Sequence, residues 1–315
     1  MAEKQIQKMK WKTSNIPDLK GKIALVTGAN SGLGFYTSLE LARKGALVIM
    51  AARNKERGNT AVEKIRSEIP TAELQFMKLD LANLELVKYF ADSFIEEFER
   101  LDIMVNNAGV MALPLMRTIQ GFEMQFGTNH LGHFALTALM INHIEKTPGA
   151  RIVNVSSTAH KFGKINFDDL NSERSYSKWA AYGQSKLANM LFTYELNRRM
   201  RLAGKQTKVM ASHPGYADTN LQIRGGEMEG SKANVWVNNL MNKIFAQPAW
   251  KGALPSLYAA TCDLAESGKY YGPSGFGSMR GYPREEKVNP KLINPEVAKR
   301  LWEESERLTG VKFVV

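Results

Sequence analysis

A short apolar strand that leads directly into a glycine-rich turn is the feature that most restricts how this chain of 315 residues can fold. The strand pattern covers Ile23–Thr27, and Gly28, Gly32 and Gly34 follow where an amphipathic stretch begins. Gly28 allows a tight turn, Gly32 lets backbone amides approach a pyrophosphate, and Gly34 permits close packing of helix on strand. Strand, turn and helix in this order predict a βαβ unit that binds a dinucleotide at the helix N-terminus.

Strand-like and helix-like segments alternate along the rest of the chain. Short apolar runs predict strands at residues 23–27, 46–51, 74–79, 101–105, 152–155 and 208–211. Amphipathic stretches between them predict helices at residues 33–44, 55–68, 84–98, 121–144 and 181–203. Strands joined by crossover helices form a parallel sheet that is covered on both faces. We therefore expect an α/β fold, with a Rossmann-type doubly wound parallel sheet in a three-layer α/β/α arrangement.

The domain organisation follows from the absence of any Pro-, Gly- or Ser-rich linker in the sequence. We expect a basic N-terminal tail over residues 1–18 and a single catalytic domain over residues 19–315. An apolar insertion at residues 221–247 follows the sixth strand, and we interpret residues 216–248 as a substrate lid, with an extra core helix as the alternative. The sequence also predicts a loop at residues 272–283 and a closing helix at residues 295–308.

Composition and charge narrow the classes of partner. Apolar residues make up 44% and charged residues 23% of the chain, which is typical of a globular protein. The net charge of +11 invites a nucleic-acid interpretation. Part of this charge lies in the N-terminal tail and part at residues 198–208. The cluster at residues 198–208 has no interleaved aromatic residues, which a platform for stacking bases would need. We therefore interpret the basic residues as solvated surface charges and not as a nucleic-acid site.

Targeting signals and cysteine use point to a protein of the reducing cytoplasm. No apolar run approaches the ~20 residues of a membrane span, and no secretory signal is recognisable. The single cysteine, Cys262, excludes an internal disulfide and a multi-cysteine metal site, and we interpret it as a small buried residue. No metal-ligand spacing is found, so no metal is expected.

The end of the second predicted strand distinguishes between the two nicotinamide dinucleotides. An NAD site has an acidic residue about 20 residues beyond the glycines, where it binds the ribose 2′-hydroxyl. No acidic residue lies between Glu40 and Glu56, and Arg53 stands at the expected position. Arg53 can pair with a 2′-phosphate, with Arg57 as a second contact, so the sequence predicts NADP(H). A plain surface cation is the alternative for Arg53.

Other predicted strands also end in polar or glycine-containing segments, at the edge where open α/β sheets bind ligands. These segments are Asp80 and Leu81, then Asn107, Ala108 and Gly109, then Ser156 and Ser157, and finally Pro214 and Gly215 with Thr219 beyond. Asp80 is suited either to accept a hydrogen bond from the adenine amino group or to cap the next helix.

Tyr182 and Lys186 lie four residues apart near the start of a long helical pattern, so they share one face. A nearby ammonium and an oxidised nicotinamide would both lower the pKa of a phenol towards a range that suits acid–base catalysis. Such a pair alone is common on ordinary helix surfaces. The strand-end motifs around it favour a functional interpretation.

Taken together, these motifs resemble the short-chain dehydrogenase/reductase family over residues 19–264. The glycine pattern, Asn-Asn-Ala-Gly, serine, Tyr-x-x-x-Lys and Pro-Gly occur in the order of that family. Residues 126–134, 154–160 and 182–189 are similar to the branch that holds retinol dehydrogenases and protochlorophyllide reductases. The cofactor-binding set implied is Gly28, Asn30, Ser31, Gly32, Leu33, Gly34, Arg53, Asp80, Leu81, Asn107, Ala108, Gly109, Tyr182, Lys186, Pro214, Gly215 and Thr219.

The resemblance also implies a mechanism of direct hydride transfer. Tyr182 would exchange a proton with the substrate oxygen, while Lys186 lowers the pKa of that phenol and holds the nicotinamide ribose. Ser157 would hydrogen-bond the substrate oxygen; its spacing from Tyr182 favours it over Ser156, which remains the alternative. Asn129 would kink its helix and hold a water that relays protons to Lys186.

The substrate is expected to be a small apolar carbonyl or alcohol, with Met111 and Trp236 in the pocket walls. Two departures from the resemblance matter: Asn30 and Ser31 stand where many NADP-binding relatives carry a basic residue, and no N-terminal apolar anchor like that of retinol dehydrogenases is seen. The histidines are expected to serve packing or hydrogen bonding. A non-enzymatic dinucleotide sensor and a nucleotide-sugar epimerase are the alternative functions, although the glycine spacing argues against the epimerase.

The oligomeric state stays open at this stage. The helices at residues 121–144 and 181–203 could form the four-helix interface of a homodimer or homotetramer, as in many relatives. Longer members of the branch could instead be monomers.

Overall fold

The computed structural model describes residues 10–217 and 247–314. Within them, eight strands form one sheet in the order β3–β2–β1–β4–β5–β6–β7–β8. The strands are β1 Ile23–Thr27, β2 Leu47–Ala52, β3 Leu74–Lys78, β4 Ile103–Asn106, β5 Arg151–Val155, β6 Lys208–Ser212, β7 Tyr270–Pro273 and β8 Pro283–Glu285. All neighbours pair in parallel except β7 and β8. The strand order reverses between β1 and β4, which opens a crevice at their carboxyl ends.

Seven helices cover the sheet in the described part of the chain, apart from short helical turns. They are α1 Gly32–Arg43, α2 Lys55–Glu68, α3 Leu84–Glu97, α4 Gly132–Glu145, α5 Lys178–Leu202, α6 Leu254–Thr261 and α7 Pro295–Thr309. Asparagine side chains cap several N-termini: Asn54 accepts from the amide of Arg57 on α2, and Asn83 accepts from that of Glu85 on α3. The predicted Rossmann-type fold is confirmed.

Alternating side chains along the strands divide the core between the two faces of the sheet. On β1, Val26 packs with residues of α1, α2 and α6, whereas Leu25 packs on the opposite face with residues of α3, α4 and α5. Both faces are therefore apolar, and polar side chains concentrate at the strand ends.

The closing helix α7 lies against α4 and α5. Trp302 is 2% exposed and packs edge-on against Phe134 of α4, and its ring also contacts Phe192 of α5 and Phe313. The Arg199 guanidinium carbon lies 4.3 Å from the centre of the Trp302 ring. The surface that carries Phe134 and Phe192, on the two helices proposed above as a dimer interface, is thus covered by the same chain.

The expected loop at residues 272–283 is wrong at both ends. Its first residues complete β7, its last begins β8, and the two strands pair antiparallel with Pro273 opposite Pro283. Glycine and proline suggested a loop, but both prolines are tolerated here, because β8 is the edge strand and Pro273 lies beyond the last residue of β7 that pairs with β6.

Two other boundaries also differ from expectation. The helix expected from residue 121 begins at Met124, because the Glu123 carboxylate accepts hydrogen bonds from the amides of Gln125 and Phe126. Within the expected tail, Trp11 and Ile16 are buried, and Trp11 packs edge-on against Tyr258 of α6. The packed structure therefore includes residues before 19.

Across residues 10–217 and 247–314, no helix combines the length and apolar character needed to traverse a bilayer.

Candidate active site

A cavity of about 260 Å³ lies at the carboxyl ends of β1, β2, β3 and β4. It is lined by most of the residues that the sequence assigns to cofactor binding: Gly28, Asn30, Ser31, Gly32, Leu33, Arg53, Asp80, Leu81, Asn107, Ala108 and Gly109, together with Met111. Gly34 lies beneath the turn, where a Cβ would come 2.6 Å from the Asn107 side-chain nitrogen. The structure therefore brings these predicted residues together around one cavity.

The glycine turn fits a phosphate group. Gly28 and Gly32 have φ angles of +66° and +55°, and a Cβ on Gly28 would lie 2.9 Å from the Ala108 Cα. Ser31 is the N-cap of α1 but makes no side-chain cap hydrogen bond, unlike Asn54 and Asn83 on the next two helices. The first amides of α1 thus receive no acceptor from the cap and point towards an anion site.

Thr27 joins the two sides of the crevice. Its hydroxyl oxygen accepts from the backbone amides of Asn107 and Ala108, both at 2.9 Å, and lies 2.9 Å from Nε2 of His133. His133 donates through Nδ1 to the Asn129 carbonyl at 3.0 Å, so its Nε2 accepts from Thr27. Burial lowers the pKa of His133 to about 4, which keeps the ring neutral. The expected hydrogen-bonding role of this histidine agrees with these contacts.

Arg53 and Asp80 line the cavity just beyond the carboxyl ends of β2 and β3. Arg53 is exposed, and no ion pair to it is found among the described residues. Asp80 accepts a hydrogen bond from the amide of Ala82 at 3.0 Å, while α3 is capped by Asn83. Asp80 is therefore not the cap of α3, which removes the alternative considered from sequence.

Tyr182, Lys186 and Asn129 are not among the residues that line the cavity, but Asn129 and Lys186 lie next to Gly109, which does line it. Tyr182 and Lys186 lie one turn apart on α5 and are 6% and 4% exposed. Asn129 sits in a π-helical turn, Gly127–Leu131, that precedes α4. A Cβ on Gly109 would lie 3.1 Å from Asn129 Oδ1 and 3.5 Å from Lys186 Nζ, so this glycine leaves room where the two side chains converge.

Hydrogen bonds fix the side chains of Asn129 and Lys186. The Asn129 amide nitrogen donates to the Val110 carbonyl and to Ser185 Oγ, both at 2.9 Å, and its oxygen accepts from the Val110 amide at 2.8 Å. Lys186 Nζ donates to the Val155 carbonyl at 3.2 Å and lies 5.8 Å from the centre of the Tyr182 ring. Both groups are preorganised by the protein itself.

The two neighbouring serines have different partners. Ser157 hydrogen-bonds the Tyr182 phenol, which opposes the effect of burial on that pKa. Ser156 donates from its hydroxyl to the Lys186 carbonyl at 2.9 Å and so supports the backbone of α5. The geometry places Ser157, and not Ser156, beside the phenol.

Comparison with known proteins decides the family. Residues 22–230 match the model of the short chain dehydrogenase family. This chain is a short-chain dehydrogenase. It is 42% identical to human retinol dehydrogenase 14 over 308 residues, covering 93% of this chain and 88% of the relative. It is 44% identical to human retinol dehydrogenase 13 over 300 residues, covering 93% and 86%.

Solved structures of short-chain dehydrogenases and of an uncharacterised protein share the fold. The uncharacterised protein, from Mycobacterium paratuberculosis, is 38% identical, with a TM-score of 0.80 over 98% of this chain and 100% of that one. A short-chain dehydrogenase from Shigella flexneri, solved in complex with NADP, is 22% identical, with a TM-score of 0.61 over 80% of this chain and 97% of that one. The retinol dehydrogenase relatives agree with the branch suggested by the sequence motifs.

The protonation of this dehydrogenase's site differs in one respect from expectation. Burial raises the pKa of Tyr182 to about 12, with the Ser157 hydrogen bond in partial opposition. Burial also lowers the pKa of Lys186 to about 8. Among the protein's own groups, the loss of water around Tyr182 therefore determines the direction of its pKa shift, and Lys186 is not one of the causes. At neutral pH the phenol carries its proton and the ammonium is mostly charged.

Some predicted positions fall elsewhere. Thr219 and Trp236, with most of the expected lid, lie outside the described residues. Pro214 and Gly215 lie in the segment after β6 and are not among the residues that line the cavity. Sequence reasoning missed Thr27 as the link between β1 and β4, although its position directly before Gly28 was a usable signal.

Proposed function

We propose that this short-chain dehydrogenase transfers a hydride, with NADP(H), to or from the carbonyl or alcohol carbon of an apolar aldehyde or ketone. Family membership and the retinol dehydrogenase relatives support an oxidoreductase. The observation that carries the proposal is that Tyr182, Ser157 and Lys186 lie together, with Lys186 next to Gly109, and that Gly109 lines a cavity whose glycine turn fits a phosphate.

Each polar group then has a distinct task. When bound, the nicotinamide supplies or accepts the hydride. Tyr182 gives its proton to the substrate oxygen during reduction, since its raised pKa keeps the phenol protonated at neutral pH. Ser157 hydrogen-bonds the same oxygen and orients it, and the Lys186 ammonium binds the ribose and stabilises the phenolate that forms.

Asn129 acts as a positioning residue in this proposal. Both hydrogens of its amide nitrogen are donated, to Val110 and Ser185, and its backbone carbonyl accepts from His133. These bonds hold the segment after Gly109 against α5. Any water relay through Asn129 would have to use the remaining lone pairs of its oxygens.

Arg53 supports NADP(H) over NAD(H). The guanidinium lines the cavity, is exposed and has no ion-pair partner among the described residues, so it is available to a 2′-phosphate. The acid that would bind a ribose 2′-hydroxyl is missing from the stretch between Glu40 and Glu56.

An apolar substrate is supported by the cavity beyond Gly109. Its lining there is formed by apolar side chains, namely Val110, Met111, Leu113, Met116 and Met124. Because the relatives are named retinol dehydrogenases, retinal belongs among the compounds to be tested.

The test is oxidation of NADPH and NADH against carbonyls that range from short aliphatic aldehydes through aromatic ketones to retinal. We expect turnover with an apolar member, a preference for NADPH, and loss of turnover in Tyr182→Phe. Tight NADPH binding without turnover of any compound would favour the alternative of a dinucleotide sensor. A preference for NADH would contradict the assignment of Arg53.

Assembly and location are part of the proposal. Since α7 covers Phe134 and Phe192, we propose that the chain does not dimerise through that surface of α4 and α5. Light scattering of the purified protein tests this, and a dimer in which cross-linking places α4 and α5 of one copy against those of the other would contradict it. We also propose a cytoplasmic location, which cell fractionation tests.

A further inference from the structure

A buried hydrogen-bonded pair, His213 with Glu286, lies directly under the segment that holds Pro214 and Gly215. His213 follows β6, Glu286 follows β8, and their side chains are 0% and 7% exposed. His213 Nε2 lies 2.8 Å from Glu286 Oε1, and the Gly215 amide donates to His213 Nδ1 at 3.1 Å. Because an amide N–H can only donate, Nδ1 must be the unprotonated nitrogen. The ring proton therefore sits on Nε2 and points at Glu286.

The surroundings are built to accommodate this pair. A Cβ on Gly272 of β7 would overlap both His213 Nε2 and Glu286 Oε1, so only glycine leaves room for their contact. The Tyr270 ring stacks on His213 with centroids 5.0 Å apart, and Ser278 hydrogen-bonds Glu286. Burial raises the pKa of Glu286, but the hydrogen bonds from His213 and Ser278 oppose it, and the net pKa is lowered. Glu286 is thus an ionised acceptor at neutral pH.

The same pair determines the shape of the segment after β6. Gly215 has a φ of +68°, and a Cβ there would overlap the Met279 carbonyl. The Tyr216 amide donates to that carbonyl at 2.9 Å, and Gln247 donates to the Pro214 carbonyl at 2.7 Å. His213 holds this segment from inside, and Met279 and Gln247 hold it from the other sides.

We propose that His213 and Glu286 are positioning residues that hold Pro214 and Gly215 in the shape that contacts the nicotinamide end of the cofactor. The inference rests on the proposed NADP(H) function. Glu286 keeps the imidazole proton on Nε2, which leaves Nδ1 free to accept from Gly215. Without Glu286 the proton can move to Nδ1, where it faces the Gly215 N–H and the bond is lost.

The test compares two ligands that differ at the nicotinamide end. Dissociation constants of NADPH and of adenosine 2′,5′-bisphosphate, which lacks the nicotinamide, are measured by calorimetry on Glu286→Ala. We expect NADPH binding to weaken about tenfold, the scale of one hydrogen bond to a charged group, with the bisphosphate unchanged. Glu286→Gln keeps an oxygen acceptor for Nε2, so its dissociation constant for NADPH should lie within about twofold of that of the unaltered protein.

The matched control is Glu285→Ala, since Glu285 is the neighbouring residue and pairs with Lys269 at the surface, 2.9 Å away. It should change neither constant. Gly272→Ala is a second route, because it separates His213 from Glu286 with both side chains intact, and it should reproduce the selective loss if Glu286→Ala does not fold.

The outcomes separate the two proposals. Unchanged NADPH binding in both Glu286→Ala and Gly272→Ala would overturn the positioning role, as would an equal weakening of both ligands, which indicates a general effect on the fold. If the unaltered protein binds neither ligand, the proposed NADP(H) function fails first.

Discussion

The two ends of the crevice are constructed differently. At the catalytic end, Tyr182, Lys186 and Asn129 are almost completely buried and are held by hydrogen bonds from the protein. At the adenosine end, backbone amides and glycines form the turn, and the charged group, Arg53, is exposed and without an ion-pair partner in the described residues. The first end is rigid and shielded from water, whereas the second is open to it.

This difference indicates at which residues a substitution should change both catalysis and the stability of the fold. Burying Lys186 lowers its pKa to about 8, so its charge is maintained against a desolvation cost. An exposed arginine has no such cost, and its attraction to a ligand is screened by salt. Substitutions at the catalytic end should therefore alter catalysis and stability, and those at the adenosine end should alter cofactor selectivity alone.

The largest effect is expected for Tyr182→Phe. Turnover should fall about 1,000-fold, because the proton donor is lost, while NADPH binding stays nearly unchanged. Stopped-flow kinetics and calorimetry measure the two quantities. The matched control is Tyr194→Phe, on the same helix, whose phenol pKa burial also raises to about 12. Equal turnover in both variants would contradict the catalytic role.

Ser157→Ala should come next, with a decrease in kcat/KM of about 300-fold, because a hydrogen bond to the substrate oxygen is lost in the transition state. Ser156→Ala should leave turnover close to the original. It should instead lower the free energy of unfolding by about 1 kcal/mol, because the Lys186 carbonyl loses its donor. A large decrease in kcat/KM in Ser156→Ala, with little change in Ser157→Ala, would assign the catalytic role to Ser156.

Arg53→Asp should lower the ratio of NADPH to NADH efficiency about 50-fold, since an attraction to the 2′-phosphate becomes a repulsion. The melting temperature should stay the same, as expected for an exposed group. Lys64→Asp makes the same charge change on an exposed position of α2 and serves as control. An equal change of ratio in both variants would show a general field effect instead of a contact.

The smallest effect concerns pH and stability. The pKa of Lys186 is about 8 in the folded protein and 10.5 as its ordinary value, so between these values the unfolded chain binds more protons. Its contribution makes the free energy of unfolding rise by roughly 1.5 kcal/mol from about pH 7.5 to 9.5. Urea titrations should show this rise relative to Lys186→Met. If the free energy of unfolding depends on pH in the same way in the unaltered protein and in Lys186→Met, the lowered pKa of Lys186 would be contradicted.

Much of the fold was predictable because it depends on local patterns. The apolar run at Ile23–Thr27 and the helix at Lys55–Glu68 occur at the predicted residues. Strands β7 and β8 were missed because their pairing, and not their composition, makes them strands. The late start of the helix before Asn129 depends on the Glu123 cap, which the sequence pattern alone did not reveal.

In the candidate site, too, local features were predictable from the sequence, whereas features that depend on packing were not. The spacing of Tyr182 and Lys186 placed both on one helix face, and the strand-end motifs located the crevice. The effect of burial, which raises the pKa of Tyr182 in the protein without cofactor, was not predictable from spacing, because burial is a property of the packed molecule. The contact of His213 with Glu286 joins residues 73 positions apart, and no periodicity within one element predicts such a pairing.

The bonds of Thr27 have a consequence for the order of folding. Its hydroxyl accepts from amides 80 and 81 positions downstream, so the glycine turn gains its second wall only after β4 has docked beside β1. Such distant contacts form slowly, because a long loop must close before they contribute free energy. A nascent chain on the ribosome therefore should not bind a dinucleotide until well over 100 residues have emerged.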